Sequence, residues 1–361
     1  MKLERIQVQQ FRNLQDVSLN PTAGLNVIYG ANGSGKSSFL EAIHYLGFGR
    51  SFRSAKHQNV IQHLQDSFTV FCKAKDEKEY EASIGYQRFR NGDFLARVNG
   101  EALSRSSDLV RLLPVQLFTP SSTDVIYGAP SLRRKFLDWG LFHVEQSFLS
   151  VAGRFQQVLS QRNALLRGGG IHSQEATFWN AAFADCGEHL DRLRTDYVEA
   201  LKPNILTNLS YFLPEFSFEI SYHSGWERGK PLAEVLKQNL QKDIKFGYSS
   251  SGPHKADLRI KADGIIAQEV LSRGQVRMLM AALLLSQSQY LLQQKGRSCI
   301  FLLDDIGAEL DSGKREAFVK ALLDSSAQIF VTAVEKQQVA FLEGYTDKKM
   351  FHVEHGQVKE E

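Results

Sequence analysis

Hydrophobic positions over the first 120 residues recur at every second place or in short unbroken runs, a pattern that predicts strands. Ile6 and Val8 alternate with polar neighbours, and Tyr80, Ala82, Ile84 and Tyr86 do so again. Residues 24–30 (GLNVIYG), 68–73 and 114–119 (PVQLFT) read as further short strands, the last of them buried. Asn91-Gly92 and Asn99-Gly100 are hairpin-turn dipeptides and bracket a strand at 94–98.

The period then changes. Leu137, Leu141, Val144, Phe148, Val151, Phe155, Val158 and Leu165 fall at steps of four and three, a heptad seam interrupted only by Arg162. Gly168-Gly169-Gly170 should end that helix. A second helical stripe follows at Cys186, Leu190, Leu193, Tyr197, Leu201, Ile205, Leu209 and Phe212, with Pro203 expected to kink or interrupt it. Two such helices predict an antiparallel pair joined by the glycine turn. From residue 216 strand and helix alternate: a strand at 258–262, an apolar helix at 275–293, a buried strand at 299–303, an amphipathic helix at 313–324 and a buried strand at 328–332. That is α/β grammar, without an internal repeat.

Composition narrows the class. With 361 residues, 43% hydrophobic and 23% charged, the chain can bury a large core and is not a disordered protein. Lys plus Arg number 43 and Asp plus Glu 40, so any polyanion-binding surface must be local. Cys72, Cys186 and Cys299 lie far apart with no CxxC pair, which speaks against a zinc site or a disulfide framework and fits a reducing compartment. The first residues, MKLERIQVQQF, lack the apolar run of a signal peptide, and no stretch reaches the length needed to cross a bilayer. A cytoplasmic protein without a membrane partner is expected.

The strongest chemical signal is Gly30-Ala31-Asn32-Gly33-Ser34-Gly35-Lys36-Ser37, which fits GxxxxGK[ST] between a predicted strand and a helical stretch. Glycines there let backbone N–H groups turn toward a polyphosphate, and the following helix adds its positive end. Lys36 is expected along the β- and γ-phosphates of ATP, and the Ser37 hydroxyl on Mg²⁺. A second signal is the apolar run 299–303 ending in Asp304-Asp305. Such a strand carries its acids to the nucleotide, Asp304 toward Mg²⁺ and Asp305 toward an attacking water. An ordinary buried strand with an acidic turn is the alternative.

Leu271-Ser272-Arg273-Gly274-Gln275, at the start of the apolar helix, resembles the LSGGQ signature of ABC-type ATPases. Taken alone it reads more readily as an ordinary capped helix start. Glu309-Leu310-Asp311 looks like the D-loop of the same class. The order P-loop, helices, signature and acidic strand is similar to the heads of structural-maintenance-of-chromosomes ATPases. Further elements are similar to the RecF family of bacterial recombinational-repair ATPases: Phe11-Arg12-Asn13, GRSFRS at 49–54, FLDWG at 136–140, QRNALLR at 161–167, GPHKADL at 252–258 and LLDDIGAELD at 302–311.

That resemblance implies an α/β P-loop ABC-type ATPase head built from both chain ends, residues 1–120 and 246–361, with a helical domain inserted at 121–245. It implies that Gly30, Ala31, Asn32, Gly33, Ser34, Gly35, Lys36 and Ser37 bind ATP and Mg²⁺ while Ser272 and Gly274 of a second copy close over the γ-phosphate. It further implies a weak, DNA-stimulated ATPase, an ATP-dependent homodimer on single-stranded and gapped DNA, and work with RecO and RecR in RecA loading during repair, replication maintenance and the SOS response. Three departures bear on turnover: Asp305 stands where such ATPases usually have Glu, Arg273 replaces a glycine, and Val331-Thr332-Ala333 has no switch histidine.

For DNA contact the candidates are Arg50, Arg53 and Lys56, in a stretch with no acid between Glu41 and Asp66, against the plainer reading of a solvated loop. Arg105, Arg111 and His254-Lys255 are weaker ones, and Gln116 is a weak Q-loop candidate. Two rival functions remain open from sequence. One is a non-hydrolysing clamp switched by ATP. The other, disfavoured, is the ATPase subunit of a membrane transporter, which should have a shorter P-loop-to-signature gap and a switch histidine, neither of which is in this sequence.

Overall fold

The computed structural model describes residues 1–168, 174–306 and 312–361. These form two compact units, one of residues 1–122 with 277–361, the other of residues 123–276. The first unit takes up the chain again at 277, where the sequence reading sets its return at 246. The reason is strand pairing: Asp257–Ala262 does not join a head sheet but pairs with Phe218–His223 and Ile265–Ile266 in a three-stranded antiparallel sheet of the inserted unit.

The head unit holds two six-stranded sheets. One is a parallel sheet in the order Lys348–Glu354, Leu25–Tyr29, Gln328–Ala333, Ile300–Leu303, Val115–Phe118, extended at the first edge by antiparallel Gln357–Glu360. Every residue of Leu25–Tyr29, Ile300–Leu303 and Gln328–Ala333 is buried, as a parallel strand covered on both faces requires. The other is antiparallel, in the order Leu14–Leu19, Lys2–Phe11, Ser67–Lys75, Glu81–Phe89, Phe94–Val98, Glu101–Leu103.

Between the sheets lies the helix Lys36–Phe48. Phe39, Leu40, Ile43 and Leu46 share one core with Ile6, Val8 and Phe68 of the antiparallel sheet and with Ile28, Ile300, Leu302 and Phe330 of the parallel one. A helix packed on both sides needs no polar face, which is why 36–48 carries so little amphipathic pattern. Gln328 ties the sheets further. Its side-chain amide accepts from Leu3 N at 2.7 Å and donates to Leu3 O at 2.8 Å, although it is fully buried. On the opposite face of the parallel sheet Phe118 meets Phe318 of the helix Ser312–Asp324.

In the inserted unit the heptad seam is not one helix. Pro130–Val144 and Phe148–Gly168 are separate, with Glu145 in an extended conformation between them. The Glu145 carboxylate accepts from Ser147 N at 2.9 Å and Ser147 Oγ at 2.8 Å, a local bond that competes with helix continuation. The break consumes one step of four, so the heptad phase conceals it. The second helix, Gln174–Phe212, runs through Pro203 without interruption. It packs against Phe148–Gly168 with antiparallel contacts, Phe155 on Phe183 and Arg162 on Asn180. The turn residues Gly169 and Gly170 lie outside the described residues.

Arg162, the one gap in the seam, is the core tie of this unit. It is fully buried and bonds Asp243 at 2.9 Å, Ser249 Oγ at 2.6 Å and Asn180 at 2.8 Å. Arg194 forks onto Asp138 at 2.9 Å with both nitrogens and donates to Pro253 O, while Arg133 forks onto Asp257 and Arg134 donates to Ala256 O. The segment carrying GPHKADL is thus fixed by helix-borne arginines.

Candidate nucleotide-binding site

The P-loop strand Leu25–Tyr29 delivers the chain to Gly30 at the carboxyl edge of the parallel sheet. Gly30 has φ 152°, and a Cβ there would lie 2.2 Å from Val353 O. Gly35 has φ 124°, with Asn13 and Leu14 against the place of its missing Cβ. These two positions admit only glycine. The helix Lys36–Phe48 starts without a side-chain cap, so its first turn is left for an anion.

Around that turn lies a cleft of about 400 Å³, lined by residues that include Asn32, Gly33, Lys36, Ser37, Asp304 and Asp305. Lys36 donates to Gly30 O at 2.7 Å and Ala31 O at 2.9 Å. Burial lowers its pKa from the ordinary lysine value, while Asp305 and Asp304 oppose the shift. The Ser34 hydroxyl is buried without a hydrogen-bond partner among the described residues. Ser37 Oγ donates to Asp304 Oδ1 at 2.9 Å, bringing together residues from the two ends of the chain. A hydroxyl and a carboxylate oxygen side by side are the hard donors that Mg²⁺ prefers, so these two residues fit that ion.

Thr332 is a site residue that the sequence shows only as a missing histidine. Its hydroxyl donates to Asp304 Oδ1 at 2.8 Å and accepts from Asp305 N at 2.8 Å. One side chain therefore orients both acids. Asp305 adopts φ 53°, a left-handed conformation that few non-glycine residues hold without support.

Two further motifs meet here. Arg12 bonds the fully buried Glu41 at 2.5 and 2.7 Å, and Ser51 Oγ donates to the same carboxylate. Arg53 stands 3.7 Å from it. Asn13 donates to Gly33 O at 3.2 Å and accepts from Ser38 Oγ at 2.8 Å. Arg12, Asn13 and Arg53 all line the cleft. The segments 11–13 and 49–54 are thus gathered on Glu41 beside the P-loop, and Arg53, a DNA candidate, faces the nucleotide side. Arg50 and Lys56 are exposed.

The remaining candidates divide. Gln116 is buried and donates to Gln287 at 3.1 Å, away from the cleft lining. His254 bonds Ser249 O at 2.8 Å, and burial lowers its pKa to about 4, so it is a neutral structural group. Lys255 is exposed over the Tyr248 ring, Arg105 precedes the helix Ser106–Leu112, and the Arg111 carbonyl accepts from Arg297. In the inserted unit Ser272 and Gln275 form a reciprocal cap at the start of the helix Arg273–Lys295. Ser272 N donates to Gln275 Oε1 at 2.8 Å and Gln275 N to Ser272 Oγ at 3.4 Å. Ser272 and Arg273 are exposed. The D-loop candidates Glu309, Leu310 and Asp311 lie outside the described residues. All three cysteines are free and buried. Among the described residues no helix is long and apolar enough to cross a membrane.

Comparison with known proteins gives the family. The RecF/RecN/SMC N terminal domain matches residues 2–359. The DNA replication and repair protein RecF of Pseudoalteromonas atlantica is 52% identical over 363 residues, covering the whole of both chains. That of Haemophilus influenzae is 43% identical, covering 99% of this chain and 98% of its own. Among solved structures, the recombination mediator RecF with ATP superposes with a TM-score of 0.89 at 28% identity, covering 100% of this chain and 97% of that one. An Smc head bound to a domain of ScpA superposes at 0.62 and 16% identity, a likeness of fold alone. The chain therefore belongs to the RecF/RecN/SMC N-terminal-domain family, and within it to the RecF proteins.

Proposed function

We propose that the cleft binds ATP with Mg²⁺, that ATP joins two copies of the chain, and that the pair holds single-stranded and gapped DNA in the cytoplasm during recombinational repair. The observation that carries the nucleotide reading is the 2.9 Å bond between Ser37 and Asp304, a P-loop hydroxyl on the acid of the distant strand. The relatives' names, DNA replication and repair protein and recombination mediator, support the DNA reading. The pathway named for the solved relative, RecFOR, supports RecO and RecR as partners, with RecA loading and the SOS response downstream.

In this reading Gly30, Ala31, Asn32, Gly33, Ser34 and Gly35 wrap the phosphates, and the Lys36 ammonium moves from loop carbonyls to the β- and γ-oxygens. Ser37 and Asp304 would hold Mg²⁺, which would neutralise phosphate charge when bound. Asp305 accepts the proton of the attacking water, Thr332 keeps both acids in place, and Arg12 and Arg53 add positive charge to the cleft. Ser272 and Gly274 of a second copy, at an exposed helix start, close on the γ-phosphate. Hydrolysis then removes the bridge and releases DNA. Because the couplings are reciprocal, DNA tightens ATP-driven dimerisation as much as ATP tightens DNA binding.

A second reading, an ATP-switched clamp with negligible hydrolysis, is favoured by Asp305 being one methylene short of the usual Glu and by Thr332 at the switch position. Two measurements test these readings. Light scattering with ATP, ADP and no nucleotide should give a dimer only with ATP, abolished by Lys36→Ala and by Ser272→Arg; a monomer throughout rejects the sandwich. Steady-state hydrolysis with and without gapped DNA then separates the rest. Slow turnover raised by DNA and lost in Lys36→Arg supports the ATPase, and none above background supports the clamp.

A further inference from the structure

We propose that Leu64 is an apolar wedge that packs on an exposed base at a junction between single-stranded and duplex DNA; this rests on the DNA-binding reading above and names how that surface meets its ligand. Leu64 is 85% exposed, the most exposed large hydrophobic side chain among the described residues, and holds φ 65°. A leucine in that conformation without burial gains nothing from the fold of the chain.

The backbone around it is firmly tied. Gln62 N donates to Gln10 O, and Gln65 N closes a turn on Gln62 O at 3.1 Å. The Arg90 guanidinium bonds Gln65 O at 2.9 and 3.1 Å, and Arg90 N donates to Asp66 O at 2.8 Å. The Arg90 carbonyl faces His57 Nε2 at 3.2 Å and accepts from Gln58 Nε2 at 3.3 Å. The tip is therefore preorganised, which lowers the ordering cost of any contact that Leu64 makes.

The surroundings select a nucleic acid. Residues 42–65 contain no Asp or Glu, whereas Arg50, Lys56, His57 and His63 lie in that stretch of sequence, and Arg90 is bound to the turn at Gln65. The first acid beyond it is Asp66, and Asp93 of the adjoining hairpin is engaged by Asn91. A protein partner for a lone leucine would offer an apolar pocket, and no acid-free basic margin is needed for that. A polyanion that also carries exposed apolar faces fits both features. In continuous duplex those faces are stacked, and a wedge must first pay for unstacking. At a junction or in a gap one face is already open, so the same leucine is gained without that cost.

The segment is also tied to the cleft. Arg12, in the cleft, bonds Glu41 with one side of its guanidinium and donates to Asn59 O with the other at 3.2 Å, and its backbone N bonds Val60 O. The strap that ends at Leu64 is thus anchored on a residue of the ATP cleft.

The test is equilibrium binding of the full chain with ATP and Mg²⁺ to three fluorescent DNAs of equal length: blunt duplex, single strand and a gapped duplex. Leu64→Ser and Leu64→Phe are compared with wild type, and light scattering with ATP checks that each variant still assembles. Leu64→Ser should weaken gapped-DNA binding roughly five-fold, leave blunt duplex unchanged and keep the salt slope, since no charge is removed. Leu64→Phe should restore or exceed wild type. Equal loss on all three DNAs, or no loss on gapped DNA, overturns the wedge. If wild type binds none of the three, the DNA reading fails before the wedge is reached.

Discussion

Arginine does different work in the two units. In the inserted unit Arg162 and Arg194 are buried to 0% and 6% side-chain exposure, each ion-paired with an aspartate, and Arg133 pairs in the same way with Asp257. In the head Arg12 and Arg53 share the single carboxylate Glu41 and keep 20% and 46% exposure in the cleft. One-to-one burial makes a tie, whereas two cations on one acid leave net positive charge facing an open cleft. The lesson is that stoichiometry and access, not residue type, separate an arginine of the scaffold from one of the site.

The largest test of that distinction is Arg162→Ala. It leaves Asp243 buried and unpaired, so the inserted unit should lose about 3–5 kcal/mol. Urea unfolding followed by hydrogen exchange in residues 148–212 should show it, with ATP affinity unchanged. Arg162→Met combined with Asp243→Leu removes both charges and should cost far less. A double variant as damaged as the single would mean that Arg162 matters for more than its pair.

Acid should act on each unit through a histidine whose pKa burial pushes well down, His44 in the head and His254 in the inserted unit. His44 stacks on Phe48 and faces Arg50 O at 3.0 Å, and burial lowers its pKa to about 3. His254 is lowered to about 4 by the same cause. Both are neutral when folded and take up protons when unfolded. Their stabilisation is complete above about pH 6.5 and is lost as pH falls through the window down to those values, with a slope of up to about 1.4 kcal/mol per pH unit for each group. His44→Gln should flatten the acid limb for head amides, and His254→Gln for those of the inserted unit. Exchange at pH 7.5 and pH 5 reads the two separately.

Arg53→Ala sharpens the head side of the comparison. Its ion pair is half exposed, so stability should move by less than about 0.5 kcal/mol. ATP affinity should fall several-fold, on the order of 1 kcal/mol, and ADP affinity less, if the guanidinium serves the polyphosphate. A drop in stability with unchanged ATP binding would reclassify it with Arg162.

Much of the head was legible because its signals are local. The P-loop needs eight consecutive residues, and buried parallel strands announce themselves as unbroken apolar runs. What stayed hidden depends on partners far along the chain. Nothing near Thr332 says that it orients Asp304, and nothing near Arg162 says that Asp243 waits 81 positions on. The helix break at Glu145 was masked because the heptad count continues across it, and Arg53 looked like a surface base until Glu41 drew it into the cleft. The strand Asp257–Ala262 was visible as a strand, but its partner, and hence its unit, was not.

The smallest expected effect settles a double meaning at Ser272. The residue caps its helix with Gln275, which is a sufficient reason for serine there, and it is also the proposed lid on a neighbour's γ-phosphate. Gln275→Ala should cost only about 0.5–1 kcal/mol, because Ser272 Oγ still accepts from the helix backbone. Ser272→Asp separates the two roles. Aspartate caps as well as serine and suits a helix N-terminus, so stability should be kept or rise by a few tenths of a kcal/mol. The same carboxylate would stand against a triphosphate, so ATP-dependent dimerisation measured by light scattering should vanish while ATP binding to the monomer persists. If Ser272→Asp assembles as wild type does, the serine is a cap and no more, and the exposed helix start closes on nothing.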